Sequence, residues 1–330
     1  MEKTIYIFSN GELKRKENTL YFESEQGRKY IPVENVCEIM IFGEVTINKK
    51  LMEFISQAEI ILHFFNYYGY YVGSFYPREH LNSGYMILKQ ADHYLDPGKR
   101  IALAKKFVQG AVENIKKVLE YYNNREKPLA GALENINSLA DKIPEINNND
   151  ELMAIEGNIR EYYYKTFDTI IDDPNFVFGE RSRRPPKNNL NTLISFGNSL
   201  LYTTVLSEIY KTHLDPRIGY LHTTNFRRFT LNLDVAEIFK PIIVDRVIFT
   251  LTNKGMLKTS HFEKKAQGIT LNAKGREVFV TELDERLKTT IQHRGLGRNV
   301  SYRRLIRLEL YKLEKHLMGE EEYQYYVSRW

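Results

Sequence analysis

The sequence has very little of what marks several common classes of protein. Cys37 is the only cysteine among 330 residues, which excludes a disulfide framework and a thiolate metal cluster. The N-terminal apolar run, Thr4 to Phe8, and the longest one elsewhere, Ile60 to Phe65, are too short for a signal peptide or a membrane span. We therefore expect a soluble protein of the reducing cytoplasm that has no membrane partner.

Sequence motifs that bind nucleotides or build common hydrolase sites are also missing. There is no G-x-x-x-x-G-K-[ST] loop, no G-x-G-x-x-G after a predicted strand, no H-E-x-x-H and no G-x-S-x-G. Gly295-Leu296-Gly297 lies between arginines and lacks the strand–turn–helix context of a phosphate-binding loop. The candidate chemistry is therefore left to carboxylates and histidines outside these motifs.

Length and composition indicate a folded protein with two domains. A chain of 330 residues is too long for one small core, and 42% hydrophobic residues are enough to fill more than one. The net charge of +5 and the isoelectric point of about 8.9 are mildly basic. Such a balance does not by itself identify a nucleic-acid-binding protein.

The first 88 residues are typical of a β-rich domain. Their candidate strands are rich in β-branched and aromatic residues and are separated by turn signals such as Asn10-Gly11. The predicted strands are Ile5–Phe8, Thr19–Glu23, Val36–Phe42, Val45–Ile47, Ile60–Asn66 and Tyr70–Phe75. Lys49–Gln57 is the one helix predicted in this region.

From residue 89 the pattern becomes helical. Asp96-Pro97-Gly98 predicts a turn, and apolar residues then recur at helical spacing from Ile101 to Leu119. Residues 145–150 are polar and predict a loop, while Gly268–Val280 is a candidate hairpin. Further predicted helices are Glu151–Phe167, Leu193–Thr212, Val235–Thr252, Glu282–Ile291 and Tyr302–Leu317. The predicted fold class is α+β, with a small β-stranded domain (1–88) followed by a larger α-helical domain (89–330).

Glu156 is the most informative single residue. On the predicted helix Glu151–Phe167 it lies about 40° from Leu152, at or inside the edge of the apolar stripe. A carboxylate there loses hydration, which is costly unless a cation or a donor compensates. A metal ion is one solution. An ordinary ion pair with Arg160, four residues on, is the alternative.

Three further residues are candidate metal ligands with ordinary alternatives. His222 opens a loop, and a neutral imidazole is a common metal ligand, but most lone histidines are structural or exposed. Asp234 and Glu237 lie three residues apart at a predicted helix start, where both carboxylates share one face and could share a cation. The alternative is an acidic N-cap followed by glutamate, as in a capping box.

Basic residues are clustered more strongly than the net charge suggests. The stretch Arg286 to Leu308 holds seven lysines or arginines and no acidic residue. Such clusters suit phosphate contacts, whereas the alternative is a solvated face or pairing with the acidic tail Glu320–Glu322. As candidate DNA contacts we take Arg183, Arg184, Lys187, Arg227, Arg228, Arg294, Arg298 and Arg303.

Several stretches together carry a family resemblance. The five in the second half are Met153–Arg160, Arg183–Lys187, Asn191–Leu201, Leu214–His222 and Leu233–Pro241. Those in the first half are Gly11–Leu13, Ile31–Val33, Ile41–Val45 and Gly69–Gly73. In this order and spacing they resemble the CRISPR-associated adaptation integrase, the catalytic subunit of the spacer-acquisition complex, over essentially the whole chain.

The resemblance implies a site, a cofactor and partners. It implies a Mg²⁺ or Mn²⁺ ion held by Glu156, His222 and Glu237, with Asp234 assisting or lying behind these ligands. It implies a homodimer in which the N-terminal domain contributes to dimerisation and DNA contacts. Double-stranded and branched DNA and a small ferredoxin-like subunit are the other implied partners.

The implied reaction is phosphodiester transesterification. A 3′-hydroxyl at the end of a short DNA fragment attacks a phosphate at the border of a CRISPR repeat, and His222 serves as a ligand rather than a general base. Attack by water would make the same site a nuclease. A metal-dependent DNA nuclease without an integration role and a non-catalytic DNA-binding scaffold are the alternatives that stay open.

Overall fold

The chain divides into two compact units. The computed structural model describes residues 3–77, 81, 83–224, 229–265 and 268–329, except for the side chain of Arg294. The units are Met1–His80 and Leu81–Trp330. The predicted boundary after residue 88 falls inside a helix of the second unit, which begins earlier because the Ser83 hydroxyl accepts from the Met86 amide and caps it. The roles predicted for the N-terminal domain stay predictions.

The first unit is built from two four-stranded sheets. One has the order β1-β5-β7-β8, in which β1, β5 and β7 are parallel, and the other has the order β4-β3-β2-β6. The elements are β1 (Lys3–Ile7), β2 (Gly11–Lys16), β3 (Thr19–Ser24), β4 (Gly27–Pro32), β5 (Val36–Ile41), β6 (Val45–Thr46), α1 (Lys49–Gln57), β7 (Ile61–Phe65) and β8 (Tyr71–Phe75). One hydrophobic cluster, which includes Leu13, Leu20, Ile39, Leu51 and Leu62, joins both sheets and α1.

In this unit the sequence predicted the elements that contain buried apolar residues. Helix α1 has both predicted ends, and Asn48 caps it by accepting from the Leu51 amide at 3.0 Å. Strands β2 and β4 were not predicted. In β4 only Ile31 is buried, so an edge strand with charged residues carries no alternating apolar signal.

The second unit is mainly helical. Its helices are α2 (Gly84–Leu95), α3 (Pro97–Asn123), α4 (Ala130–Ala140), α5 (Asn149–Lys165), α6 (Phe167–Ile170), α7 (Asn189–Tyr210), α8 (Leu231–Phe239), α9 (Arg246–Asn253), α10 (Ala273–Lys288) and α11 (Tyr302–Met318). Two hairpins join β9 (Phe262–Lys265) to β10 (Gly268–Leu271) and β11 (Thr290–His293) to β12 (Arg298–Ser301). The predicted α+β class is confirmed.

Several local predictions in this unit are wrong for identifiable reasons. Asp96-Pro97 is not a free turn but the start of α3, since Asp96 caps it and proline suits the first helical position. Asn272 likewise caps α10, so the predicted hairpin Gly268–Val280 ends at Leu271. The helix predicted over Val235–Thr252 contains a π-helical turn that begins at Pro241, whose ring cannot continue a regular helix.

Helix α7 lies at the centre of the second unit. It is buried along most of its length and packs against α8 and α11. Helix α3 packs against both α5 and α8, which are the helices that carry Glu156 and Glu237. Among the described helices, none combines the length and the apolar composition needed to cross a membrane.

Candidate metal centre

Three separate segments of the second unit carry the predicted ligands. Glu156 lies in the middle of α5, whose first turn is fixed by Asn148 accepting from the Glu151 amide at 2.8 Å. His222 lies in the loop between α7 and α8, and Glu237 lies in the last turns of α8. Each segment packs inside the second unit, so the site is assembled within one compact body.

Arg160 joins two of the predicted ligands. Its Nε donates to Glu156 Oε1 at 2.6 Å, which is the ion pair that the sequence offered as the alternative for Glu156. Its Nη2 donates to the Glu237 carboxylate, 77 residues away in sequence. Arg160 is buried, with a relative exposure of 7%. One buried guanidinium therefore holds both carboxylates at the same place.

Glu237 is an ionised buried carboxylate. It also accepts from Lys240, whose ammonium lies 4.8 Å from the centre of the Tyr202 ring. Burial alone would raise the pKa of Glu237, but Arg160, Lys240 and His222 outweigh burial and lower that pKa to about 2.

Asp234 holds the His222 loop and not its own helix. Its carboxylate is fully buried and accepts from the backbone amides of Tyr220, Leu221 and His222 at 2.6, 3.0 and 3.0 Å. Thr230 is the N-cap of α8, and no side-chain cap hydrogen bond is present there. The predicted capping box is therefore wrong, because Asp234 lies one turn inside α8 and faces the loop.

The same carboxylate orients the His222 ring. Asp234 Oδ1 lies 2.7 Å from His222 Nδ1, so the tautomer with a proton on Nδ1 donates to Asp234 and leaves Nε2 as the ligand atom. Burial lowers the pKa of His222, but the hydrogen bond and charge of Asp234 outweigh burial and raise that pKa above 6.5. A carboxylate behind a metal-binding histidine is a common arrangement in metalloproteins.

Three polar side chains that the sequence did not single out fix the loop before His222. Gln90 on α2 accepts from the Asp215 amide at 2.7 Å and donates to the Asp215 carbonyl at 3.1 Å. Arg100 on α3 and Asn149 on α5 donate to the Tyr220 carbonyl. Sequence reasoning missed them because a single Gln, Arg or Asn carries no motif, and their partners are distant in sequence.

The donor set fits a divalent cation in its chemistry. Two carboxylates and an imidazole are ligands that Mn²⁺ and, less strongly, Mg²⁺ accept. Across the described ranges, no group of three or more His, Cys, Asp or Glu side chains converges as ligands around one point. The Arg160 guanidinium instead pairs with both Glu156 and Glu237.

The predicted DNA contacts differ in their exposure to solvent. Arg183, Arg184 and Lys187, which precede α7, are exposed to solvent, and Arg298 at the start of β12 is exposed as well. These positions leave their side chains accessible to a phosphate backbone. Arg227, Arg228 and the side chain of Arg294 lie outside the described part of the chain.

Arg303 differs from the other predicted contacts. Its side chain is buried on α11 and its Nε donates to Glu208 Oε1 on α7 at 2.7 Å. Arg307 donates to the other oxygen of the same carboxylate at 2.6 Å. The structure thus gives Arg303 a structural place in the helix packing, which does not suit the predicted DNA contact.

Comparisons with known proteins were made on both sequence and fold. The family model described as CRISPR associated protein Cas1 matches residues 5–285. A curated relative from Thermodesulfovibrio yellowstonii, named CRISPR-associated endonuclease Cas1 2, is 68% identical over 330 residues and is covered completely, as is this chain.

Solved structures share the fold. A Cas1 protein from Thermotoga maritima has a TM-score of 0.88 and 51% identity, with 98% of this chain and 99% of that chain covered. A casposase bound to an integration product also has a TM-score of 0.88, at 19% identity, with 100% of this chain and 96% of that chain covered. The second likeness is one of fold alone.

Proposed function

The chain belongs to the Cas1 family of CRISPR-associated proteins, as the order of its motifs predicted, and from that membership we propose that it is a metal-dependent DNA endonuclease and integrase. It inserts short foreign DNA fragments into a CRISPR array by transesterification. The endonuclease name of a relative that is 68% identical supports the nuclease part of this proposal. The casposase bound to an integration product supports only the capacity of this fold for joining DNA.

One observation carries the proposal at the level of chemistry. Glu156 and Glu237 meet at the buried guanidinium of Arg160, and Asp234 holds the His222 ring by its Nδ1. Apolar contacts would be enough to pack α5 against its neighbours and α8 against its own. The packing of these helices therefore does not account for two carboxylates and an oriented imidazole from three segments. Burial of so many charged groups is costly, and it is typical of functional sites.

We propose that Glu156, His222 Nε2 and Glu237 hold Mg²⁺ or Mn²⁺. When bound, the metal supplies polarisation of a phosphodiester oxygen and stabilisation of the charge that develops in the transition state. Asp234 keeps His222 in the tautomer that presents Nε2, so His222 acts as a ligand and not as a general base. Lys240 keeps Glu237 ionised and fixes its orientation.

The transesterification balances without any further reactant. The 3′-oxygen of the incoming fragment forms a bond to the repeat-border phosphorus, and the bond from that phosphorus to its original 3′-oxygen breaks. The attacking 3′-hydroxyl loses its proton to solvent, and the departing oxygen takes one up from solvent and becomes a 3′-hydroxyl. Exposed Arg183, Arg184 and Lys187 contact the DNA backbone and hold it in register. Attack by water in place of the 3′-hydroxyl gives cleavage by the same site.

The proposed assembly follows from the family. The chain acts in the cytoplasm as a homodimer together with a small ferredoxin-like subunit, on double-stranded and branched DNA. The exposed arginines and lysine before α7 give this binding a dependence on salt, since phosphate contacts release counterions.

A strand-transfer assay tests the proposal. The purified chain and its partner subunit are incubated with Mn²⁺, a labelled short duplex and a second duplex that contains two repeats. We expect a joined product that is lost when the labelled duplex ends in a 3′-dideoxynucleotide or when the metal is chelated. Glu156→Gln and Glu237→Gln should each reduce joining by about 10²-fold or more, because each removes a ligand of the site.

A matched control separates the site from the helix. Glu161 lies on the same helix as Glu156 but is exposed and pairs with Lys165, so Glu161→Gln should leave joining unchanged. Cleavage without any joined product would reject the integrase and leave a nuclease. Full joining by both site variants, with folding intact, would reject the metal site altogether.

A further inference from the structure

Asp245 is a buried carboxyl group that no part of the proposed reaction uses. It ends the π-helical turn after α8, and its relative exposure is 0%. Apart from the Tyr163 hydroxyl, whose interaction helps to lower the pKa of this carboxyl, no donor among the described residues hydrogen-bonds either side-chain oxygen. A buried carboxylate with so few donors is costly to folding, so Asp245 calls for a further partner.

Among the charged groups around Asp245, Arg160 has the largest effect on the pKa of this carboxyl. Burial raises the pKa of Asp245 to about 7, and Arg160 is the group that opposes burial most strongly. The Arg160 guanidinium uses Nε for Glu156 and Nη2 for Glu237, while its buried Nη1 has no partner among the described residues. A spare buried donor and a spare buried acceptor therefore occur within one electrostatic cluster.

Arg160 and a divalent cation cannot both remain between the same two carboxylates. The charges repel strongly at contact distance in a buried place, so metal binding must displace the guanidinium. The displaced group stays buried and needs an anion. Asp234 is already occupied by three backbone amides and His222. Asp245 has at most the Tyr163 hydroxyl, so it is the acidic group of this cluster that can accept a guanidinium.

We infer that Asp245 receives the Arg160 guanidinium when a metal ion binds to Glu156 and Glu237. Arg160 is then an internal cation that holds the two ligands together before metal arrives, and Asp245 is a positioning residue that makes its departure favourable. This inference rests on the proposed metal site and extends it. It explains why a buried arginine and a buried aspartate with few donors accompany the ligands.

Calorimetric titration of the full chain with Mn²⁺ tests the inference. In Asp245→Asn the guanidinium has no anionic place to move to, so Mn²⁺ affinity should fall by about ten-fold or more. The melting temperature of the metal-free protein should stay the same or rise, because a buried carboxyl with few donors is removed. A residue that matters only for folding would lower both quantities.

Two further variants make the test specific. In the Arg160→Met background, Asp245→Asn should have no further effect on Mn²⁺ affinity, since there is no guanidinium to receive. Glu309 is a buried carboxylate on α11 that accepts from the Tyr323 hydroxyl, and Glu309→Gln should leave Mn²⁺ affinity unchanged. An affinity of Asp245→Asn within two-fold of wild type, or an equal loss in the Arg160→Met background, would overturn the inference.

A Glu237→Gln arm distinguishes this inference from the proposed function. If the wild-type chain binds no Mn²⁺ that depends on Glu237, both the metal site and the role of Asp245 are refuted. If binding depends on Glu237 and is indifferent to Asp245, only the role of Asp245 is refuted. A crystal structure with Mn²⁺ bound should show the Arg160 guanidinium within hydrogen-bond distance of Asp245.

Discussion

Asp234 shows how one side chain can fix a loop that another segment provides. It accepts from three consecutive amides and from the His222 ring while fully buried. Asp234→Asn keeps the shape but loses the charge, so charge-assisted hydrogen bonds are weakened. We expect a loss of about 1.5–3 kcal/mol in the free energy of unfolding, measured by urea denaturation.

An exposed aspartate provides the control for this prediction. Asp150 lies in the first turn of α5 and is exposed, so Asp150→Asn should change the free energy of unfolding by less than about 0.5 kcal/mol. A cost for Asp234→Asn as small as that of Asp150→Asn would mean that the buried carboxylate contributes nothing to the loop.

The raised pKa of His222 predicts the pH dependence of Mn²⁺ binding. Asp234 favours the protonated imidazole, so the ring stays protonated to a higher pH than an ordinary histidine. A ligand must be neutral at Nε2, so Mn²⁺ affinity should rise with pH and level off at a higher pH than it would with an ordinary histidine. Titrations from pH 6 to pH 8.5 would show this. In Asp234→Asn the rise should move to lower pH, and an unmoved profile would contradict the assignment.

Sequence reasoning predicted some of the residue contacts in the candidate site. The helical stripe predicted Glu156 at the edge of the apolar face, and its side chain is partly buried there. The alternative of an ion pair with Arg160 is confirmed. The second contact of Arg160, with Glu237, joins residues 77 positions apart and leaves no local trace in the sequence. The order of the family motifs predicted that the three ligands share one site. It could not show that the Arg160 guanidinium pairs with Glu156 and Glu237.

Helices α7 and α11 are joined by a buried ion cluster at Glu208. Although burial would raise the pKa of Glu208, Arg303, Lys211 and Arg307 lower it below its usual value. Removing the carboxylate takes one shared anion from the buried Arg303 and the half-buried Arg307, so Glu208→Gln should cost about 3–5 kcal/mol of unfolding free energy at pH 7. Urea denaturation measures this cost.

The sign of the pKa shift predicts where this contribution disappears. Because the folded pKa is lowered, the stabilisation is fully present above the unfolded pKa of about 4.3 and is lost as pH falls through the folded pKa. The difference between wild type and Glu208→Gln should therefore be constant from pH 7 to about pH 5 and shrink only at lower pH. The exposed pair of Glu285 and Lys288 is the control, and Glu285→Gln should cost less than about 0.5 kcal/mol.

Helix starts were predictable where capping and burial agree, as for α1. They were missed where a cap adjoins a turn-like sequence, as at Asp96-Pro97, since the same residues favour both structures. The basic run from Arg286 to Leu308 illustrates the remaining limit. Its charge pattern was equally suited to binding and to internal pairing, and only the position of Glu208 on α7 decided it for Arg303.

At the scale of the whole molecule, the predicted site residues all belong to one of the two compact units. The unit Leu81–Trp330 contains the predicted ligands Glu156, His222 and Glu237. It also contains the residues around them, such as Gln90 and Arg160. The unit Met1–His80 has a hydrophobic cluster of its own. We therefore predict that a fragment of residues 83–330 folds and binds Mn²⁺ within about three-fold of the full chain, measured by calorimetry.

We expect the Mn²⁺ affinity of a fragment to depend on its first residue. Two shorter fragments test whether α2 positions the site. A fragment that begins at residue 89 cuts α2 within its length, and one that begins at residue 97 lacks Gln90 and its hydrogen bonds to Asp215. The fragment from residue 97 lacks Gln90, and in the fragment from residue 89 Gln90 lies next to a frayed chain end. In both, the loop before His222 loses part of its support, so Mn²⁺ affinity should fall by about ten-fold or more. Equal affinity in all three fragments would mean that α2 does not position the site. Loss of binding in the 83–330 fragment, with its helical circular dichroism intact, would mean that the β-stranded unit contributes to the metal centre.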